Sequence, residues 1–380
     1  MTSPIWNRWA CFLFDPFFTQ MFNLFSSKNR CLGLDIGTTG VKAVELKKEG
    51  NTPVLVNYAI SYDSGSLLQS SELEILDGQT KEIILNVIKK AGFKTNRVVV
   101  GIPGFLALIS FMEIPEMPRP EIDQAVRFEA NKYIPAPLEE VSLGWEIIGS
   151  FQDKPMEGGQ PMKQKQKLQI MVVSVPKISV SKLTSIAKET SLSPIAMEVE
   201  NFATVRCLIG NDKGTFMIVN IGAKATDFTV VSDGIVRVTR SIDVGGAEIS
   251  RSLASGLGID LQRADKIKKS SQINLADPKD KLSSLIGPVA GIIIDEIKRL
   301  REIYHKKNPI KKIEKLVFAG GTSKLSSLID FFASELSIEC QLGNSLARVA
   351  VESKYQEVVE KVAPELTVAI GLALRGMDEA

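Results

Sequence analysis

Two distant segments of this chain repeat one pattern: Asp35-Ile36-Gly37-Thr38-Thr39-Gly40-Val41-Lys42-Ala43-Val44 and Asn220-Ile221-Gly222-Ala223-Lys224-Ala225-Thr226-Asp227-Phe228-Thr229. Each reads as a strand that ends in a polar residue, turns on glycine and resumes as a second β-rich strand, which makes a hairpin with backbone amides at its tip. Two such tips facing each other would clamp a polyphosphate, because N–H groups in a tight turn form an anion-binding concavity. Thr38, Thr39 and Lys42 add hydroxyls and a positive charge to the first tip, and Gly222, Ala223 and Lys224 form the second. A third piece, Lys315 to Leu325, reads as a buried strand, the Gly320-Gly321 turn, a helix start at Thr322-Ser323 and an apolar helix face. That turn would aim a helix N-terminus at negative charge. Gly245-Gly246, opening a helix around Ala247 to Gly256, is a fourth turn of this kind. Any one of these is also an ordinary strand turn or capped connection; their pairing and order carry the phosphate reading.

Other chemistries have little to work with. One histidine, His305, on a charged helix builds neither a zinc site nor a Ser-His-Asp triad. There is no G-x-x-x-x-G-K-[ST] loop and no strand-linked G-x-G-x-x-G. Cys11, Cys31, Cys207 and Cys340 lie far apart without C-x-x-C spacing and read as reduced thiols of a cytoplasmic protein. A net charge of +2 over mixed signs gives no basic stripe, so no nucleic-acid partner is expected. The one dense cationic run, Lys306-Lys307 to Lys311-Lys312, reads as a solvated helix end and loop.

The elements that must position these turns fill more than one ordinary domain: 380 residues, 44% apolar, predict two lobes. Residues 31–110 form the first part of lobe I, with strands near Cys31 to Asp35, Val41 to Leu46, Val54 to Ser61 and Arg97 to Ile102 and a helix at Thr80 to Ala91. Residues 111–193 form an inserted α+β subdomain. It holds an amphipathic helix with Ile122, Ala125, Val126, Ala130 and Tyr133 on one side, stopped by Pro135 and Pro137, a polar hairpin tip at Gln152 to Lys167, and a closing helix at Ser179 to Thr190. Residues 194–213 return to lobe I and supply a connecting helix from Glu200 to Leu208. Residues 214–380 form lobe II, with a helical insertion at about 246–309 that includes a long helix from Ser283 to Lys306, and a last helix, Glu365 to Leu374, following Pro364. Residues 1–30 read as an N-terminal extension, flexible or membrane-surface: Phe18, Met21, Phe22 and Phe25 have helical spacing, but Arg8, Asp15 and Pro16 break the apolar run.

Together the four glycine turns resemble the actin-like ATPase superfamily, from about Arg30 to the C-terminus. The resemblance implies an α/β, two-lobed fold of ribonuclease H-like subdomains carrying an FtsA-type α+β insertion. Within it, the chain most resembles the PilM family of type IV pilus assembly, through Asp35-Ile36-Gly37 running on to Val41-Lys42-Ala43-Val44-Glu45-Leu46, Ile114-Pro115-Glu116-Met117-Pro118, the helix from Glu121 to Tyr133-Ile134-Pro135, and Val199-Glu200-Asn201-Phe202-Ala203. Chains of this family commonly open on a short Met-Phe-x-Leu-Phe segment, which Met21 to Arg30 supplies, so Met21 is expected as the natural start.

The resemblance implies ATP and Mg²⁺ as cofactors. Carried over by position, Asp35 would act on Mg²⁺ through water, Lys42 would reach the phosphates, and Asp265, Lys268 and Lys269, on one helix face, would stand where the family reads ribose and adenine. Asn220 departs from the acid expected there; an amide cannot serve as a base or add charge to hold Mg²⁺. Glu200 matches a residue that sometimes orients water. ATP binding with slow or no turnover is therefore expected, any hydrolysis acting as a timing step. The implied partner is the N-terminal peptide of a PilN-like inner-membrane protein, held in a groove involving Ile102 to Tyr133, alongside other pilus inner-membrane assembly proteins and self-association. The implied place is cytoplasmic, peripheral at the inner membrane. An FtsA-like filament-forming membrane tether is the alternative reading. A small-molecule kinase is the third, lacking an acid that stands out between Gly101 and Glu146 as its base.

Overall fold

A computed structural model describes residues 29–62, 78–152, 166–270, 275, 277, 279–325 and 327–378. The N-terminal readings and most of the polar hairpin tip lie outside these residues.

Three sheets organise the described residues. In the first, β1 (Arg30–Gly37), β2 (Gly40–Glu49) and β3 (Thr52–Tyr62) form an antiparallel meander; β4 (Arg97–Ile102) and β8 (Ser193–Val199) add in parallel beyond β1, giving the order β14-β3-β2-β1-β4-β8 with β14 at Ala350–Val351. The second repeats the plan: β9 (Thr215–Ile221), β10 (Thr226–Ser232) and β11 (Ile235–Ile242) form the meander, and β12 (Lys315–Ala319) and β13 (Glu339–Leu342) add in parallel beyond β9. Buried strands such as β1 and β9 are apolar almost throughout because helices cover the sheet faces. The two-lobed actin-like plan is thus one ribonuclease H-like unit used twice.

Between β4 and β8 runs the inserted subdomain, whose sheet has the order β5-β7-β6 from β5 (Leu108–Pro115), β6 (Val141–Gln152) and β7 (Gln166–Pro176), covered by α2 (Arg119–Ala130). Ile122, Val126 and Ala130 of α2 pack with Met112, Ile114, Ile170 and Val172. The helix ends at Ala130, so Tyr133 lies beyond it and is 45% exposed instead of joining the apolar side. The following helix, α3 (Lys177–Glu189), belongs with the first sheet: Leu183, Ile186 and Ala187 share a core with Ile84 of α1 (Gly78–Ala91), Val98 and Val100. A strand parallel to its neighbour must be reached by a crossover, and α3 carries the chain back to β8.

Lobe II continues through α5 (Gly246–Leu257), α6 (Leu261–Ser270), α7 (Lys281–Lys307) and α8 (Leu328–Leu336), with Ile286, Ile293 and Ile297 of α7 buried in its core. The C-terminal helix differs from expectation twice. It runs as α9 (Gln356–Asp378) with Pro364 inside it, and it packs on the first lobe, where Leu366, Ala369, Leu372 and Ala373 share a core with Cys31, Val44 and Val99. Together with β14 it returns the last part of the chain to lobe I, where the sequence boundary ran lobe II to residue 380. Among the described residues no helix is long and apolar enough to cross a membrane.

Candidate functional site

Registers of the two meanders place the polar residues. Asp35 pairs across the ladder with Lys42, and Asn220 pairs with Asp227. Each hairpin therefore carries a cross-strand polar pair at the same distance from its glycine tip, with Thr38 and Thr39 in the first turn and Ala223 and Lys224 in the second. Asp35 is 3% exposed and its Oδ2 accepts from Lys42 Nζ at 2.9 Å. Burial alone would lower the Lys42 ammonium, but Asp35, followed by Glu200, overcomes this and holds it above its ordinary value.

Glu200, in the first turn of α4 (Glu200–Leu208), completes an acidic trio with Asp35 and Asp227. Burial, then the charges of Asp35 and Asp227, push the Glu200 carboxyl well above the carboxylate range. Asp227 is pushed up to about 6, mainly by burial and with Asp35 adding to it. Glu200 Oε1 and Asp227 Oδ1 are buried without a hydrogen-bond partner. Buried oxygens left unsatisfied and carboxylates that raise one another both describe a place that a positive charge would relieve. Among the described residues no three acidic, histidine or cysteine side chains could hold an ion by themselves. A hard cation there fits only as one reached through water, with a ligand's oxygens completing its shell.

Asp227 is the functional candidate that sequence reasoning missed. The signal was present: it stands seven residues after Asn220, as Lys42 does after Asp35. The acid lacking at Asn220 is thus supplied from the partner strand of the same hairpin.

The remaining turns lock around the second tip. Gly246 N–H donates to Gly222 O at 2.9 Å, Ala247 N–H to Ala223 O at 2.7 Å and Thr322 Oγ1 to Gly222 O at 3.1 Å, which joins Gly245, Gly246 and Thr322 to Gly222 and Ala223. Gly320 has φ +85°, and a Cβ there would lie 2.4 Å from Ile221 O and 2.8 Å from Asn220 Oδ1, so only glycine lets the turn approach the hairpin. Past it the expected α-helix start is a 3₁₀ turn, Gly321–Lys324, because Ser323 N–H and Oγ both return to Gly320 O. The regular helix α8 begins only at Leu328, so no long helix points its N-terminus at the tips from here.

Beside the start of α5, α6 presents Asp265, Lys268 and Lys269 together. The two lysines hold the Asp265 carboxyl at about 2 despite the opposing effect of burial. Lys268 Nζ lies 2.8 Å from Gly246 O, 2.8 Å from Ser250 Oγ and 2.9 Å from Asp265 Oδ1. All three of its donors are committed to the protein, so its direct role is to brace α6 against the start of α5. At the cleft mouth Tyr62 OH donates to Glu365 Oε2 at 2.5 Å, Lys324 Nζ lies 3.0 Å from Glu365 Oε1, and Lys269 Nζ stands 5.3 Å from the Tyr62 ring centre.

The segment entering the inserted subdomain touches the same site. A Cβ on Gly104, in the turn Gly104–Leu106 before β5, would lie 2.7 Å from Asp227 Oδ1 and 2.8 Å from Asn201 Oδ1. Asn201 is itself fixed by donating from Nδ2 to Thr229 Oγ1 at 2.9 Å.

Comparison with known proteins agrees with this architecture. A chain of the "PilM-PilN type IV pilus biogenesis complex" superposes with a TM-score of 0.77 at 25% identity, over 91% of this chain and 98% of that one. The ethanolamine utilization protein EutJ from Carboxydothermus hydrogenoformans gives a TM-score of 0.53 at 16% identity, over 93% of this chain and 91% of that one. MreB5 of Spiroplasma citri bound to ADP gives 0.51 at 12% identity, over 91% and 95%. The last two share the fold alone. The family model described as "Type IV pilus assembly protein PilM" matches residues 33–377. With nearly the whole length matched and the actin-like fold in place, this chain belongs to the PilM family of type IV pilus assembly proteins.

Proposed function

We propose that the chain is an ATP-binding, actin-like scaffold of type IV pilus assembly that captures the short N-terminal peptide of a PilN-like inner-membrane protein and is thereby held, in the cytoplasm, against the inner membrane. The observation that carries the nucleotide reading is the pair of facing hairpins with Asp35–Lys42 and Asn220–Asp227 at matching positions and orphaned carboxylate oxygens between them. The partner reading is supported by family membership and by the neighbour whose structure is a complex with PilN.

In this proposal the tip amides with Thr38, Thr39 and Lys42 would bind the phosphates, Gly245, Gly246, Gly320, Gly321 and Thr322 would shape the nucleoside side, and Asp35, Glu200 and Asp227 would hold Mg²⁺ through water. The ion, when bound, neutralises phosphate charge. Burial, then the charges of Asp35 and Asp227, raise the Glu200 carboxyl and so favour its protonated form in the unliganded protein, which works against its accepting a proton from water. Asn220 supplies no base either. Binding with slow or no hydrolysis follows, and nucleotide would act by setting the lobe arrangement.

Binding and phosphate release are measured on one Mg²⁺-containing sample, with Asp35→Ala alongside. Micromolar or tighter ATP binding that is lost in the variant, with little turnover, is the expected result. Equal binding by wild type and variant would remove the phosphate-clamp reading while leaving peptide capture to be measured separately.

A further inference from the structure

We infer that the finger joining α7 to β12, residues 305–313, is a contact element for an anionic bilayer surface. Its sequence is His305-Lys306-Lys307-Asn308-Pro309-Ile310-Lys311-Lys312-Ile313, with four lysines and no acid, the lysines flanking Ile310 in pairs. The finger is built, with both ends fixed. Tyr304 and Ile313 are buried, Ile313 N–H donates to His305 Nε2 at 3.1 Å, and Asn308 N and Nδ2 donate to Tyr304 O at 2.9 and 3.1 Å. His305 serves as an acceptor because burial, then Arg301 and Lys312, disfavour its charged form. What this closed base displays is Ile310, 94% exposed, with Lys306, Lys307, Lys311 and Lys312 exposed around it.

Neighbouring charges leave the collar cationic. Lys311 pairs with Asp233 in the β10–β11 turn, and Lys213 reaches the Asp233 carbonyl at 3.4 Å. Asp212 and Glu314 are occupied by the Gly214 and Thr215 amides. Glu302 lies at the base, beside Lys298 and Arg301 in a surface recess shared with His305. Lys306, Lys307 and Lys312 make no ion pair among the described residues.

An apolar tip inside a basic collar fits one environment. Lysines gain from the negative surface of an anionic leaflet, and the isoleucine gains by entering the headgroup boundary. Nucleic acid would use the lysines, but the finger's one aromatic ring, His305, is held at the closed base by Ile313 N–H and is not displayed with the lysines for base stacking, and phosphates give Ile310 nothing. Position agrees: the finger sits where β9 and β12 begin, at Thr215 and Lys315, whereas Asn220 and Gly320 stand at the other end of these parallel strands. Contact here leaves the nucleotide cleft clear. The inference goes beyond the proposed function, since it requires neither nucleotide nor a partner peptide.

Co-sedimentation of the full chain with phosphatidylcholine vesicles, with and without phosphatidylglycerol, tests it. Binding should need the anionic lipid and weaken with salt. Replacing Lys306, Lys307, Lys311 and Lys312 with glutamine should weaken it by about tenfold or more, each lysine near such a surface contributing roughly fivefold. Ile310→Asp, with the lysines kept, should also weaken it. A control with the same charge change elsewhere, Lys89, Lys90, Lys354 and Lys361 to glutamine, should bind as wild type. Absence of anionic-vesicle binding, equal loss in the control, or an Ile310→Asp variant that binds vesicles undiminished would overturn the inference. Tighter binding to a single-stranded oligonucleotide than to vesicles would overturn it as well.

Discussion

At the scale of single residues, the cleft holds an internal conflict. Asp227 is a carboxyl whose folded value, about 6, exceeds its ordinary 3.8. The native state therefore prefers it protonated: the associated stabilisation is complete below 3.8 and is lost as pH rises through about 6. At neutral pH the unliganded fold carries the cost of that buried charge, about 2–3 kcal/mol at 1.36 kcal/mol per unit. Asp227→Asn removes the charge while keeping the shape. In chelator-treated protein the variant should match wild type near the acid end of the window and gain roughly 2–3 kcal/mol of unfolding free energy near neutrality. Its affinity for Mg²⁺-nucleotide should fall by about 10- to 100-fold, as for other groups that act on a metal from outside its first ligands. Opposite signs in the two measurements are what a functional charge requires. A variant destabilised at neutral pH would mean that Asp227 is a structural acid instead.

Elements connect this conflict to the rest of the chain, and they also mark how far sequence reaches. Hairpins were legible because short β-rich runs, a glycine tip and the seven-residue spacing of Asp35 and Lys42 are local. The residues meeting at the cleft mouth were not, since Tyr62 and Glu365 are 303 positions apart. Nor was the 3₁₀ turn after Gly320: Thr322 and Ser323 suit a helix start equally well, and the decision falls to Gly320 O, which takes both bonds from Ser323. Pro364 misled because proline most often opens a helix, yet inside α9 it removes only one donor. Gly104 was passed over for the same reason of distance. Its turn seats against Asp227 and Asn201 at one end and leads into β5 of the inserted subdomain at the other. Gly104→Ala puts a methyl group at 2.7 Å from Asp227 Oδ1, so the turn must move. If nucleotide state reaches the peptide groove through this segment, the ratio of partner-peptide affinities with ATP and without nucleotide should shrink toward one in the variant. Fluorescence anisotropy of a labelled peptide reads that ratio directly, and couplings of this kind are commonly about 5- to 150-fold. A ratio unchanged by Gly104→Ala would assign the coupling to another element.

For the molecule as a whole, the interior of the first lobe and its contacts with the second are held by interactions of different strength, and this sets which part can move. Inside the first lobe, Arg206 of α4 forms a fork with Glu198 of β8, both contacts at 2.5 Å, and also donates to Gly371 O of α9 at 3.1 Å. Both side chains are buried, 2% and 4% exposed. Removing one member of such a pair strands the other charge in a dry interior, which typically costs about 3–5 kcal/mol. At the mouth, Tyr62 is 63% exposed, and its contacts to Glu365 and Lys269 compete with water. Interactions of that kind are each worth about 1 kcal/mol or less. Arg206→Met should accordingly lower the denaturant midpoint strongly, whereas Tyr62→Phe should leave it nearly unchanged and act on nucleotide exchange, raising the release rate by roughly fivefold or less for the loss of about 1 kcal/mol. Stopped-flow release of a fluorescent nucleotide, set beside urea unfolding of both variants, separates the two kinds of contact. Large destabilisation by Tyr62→Phe would mean that the mouth contributes to folding and the cleft is rigid. The opposite pattern leaves a first lobe held firmly through α4 and α9 and only loose surface contacts from Tyr62 and Glu365 to Lys269 and Lys324 of the second.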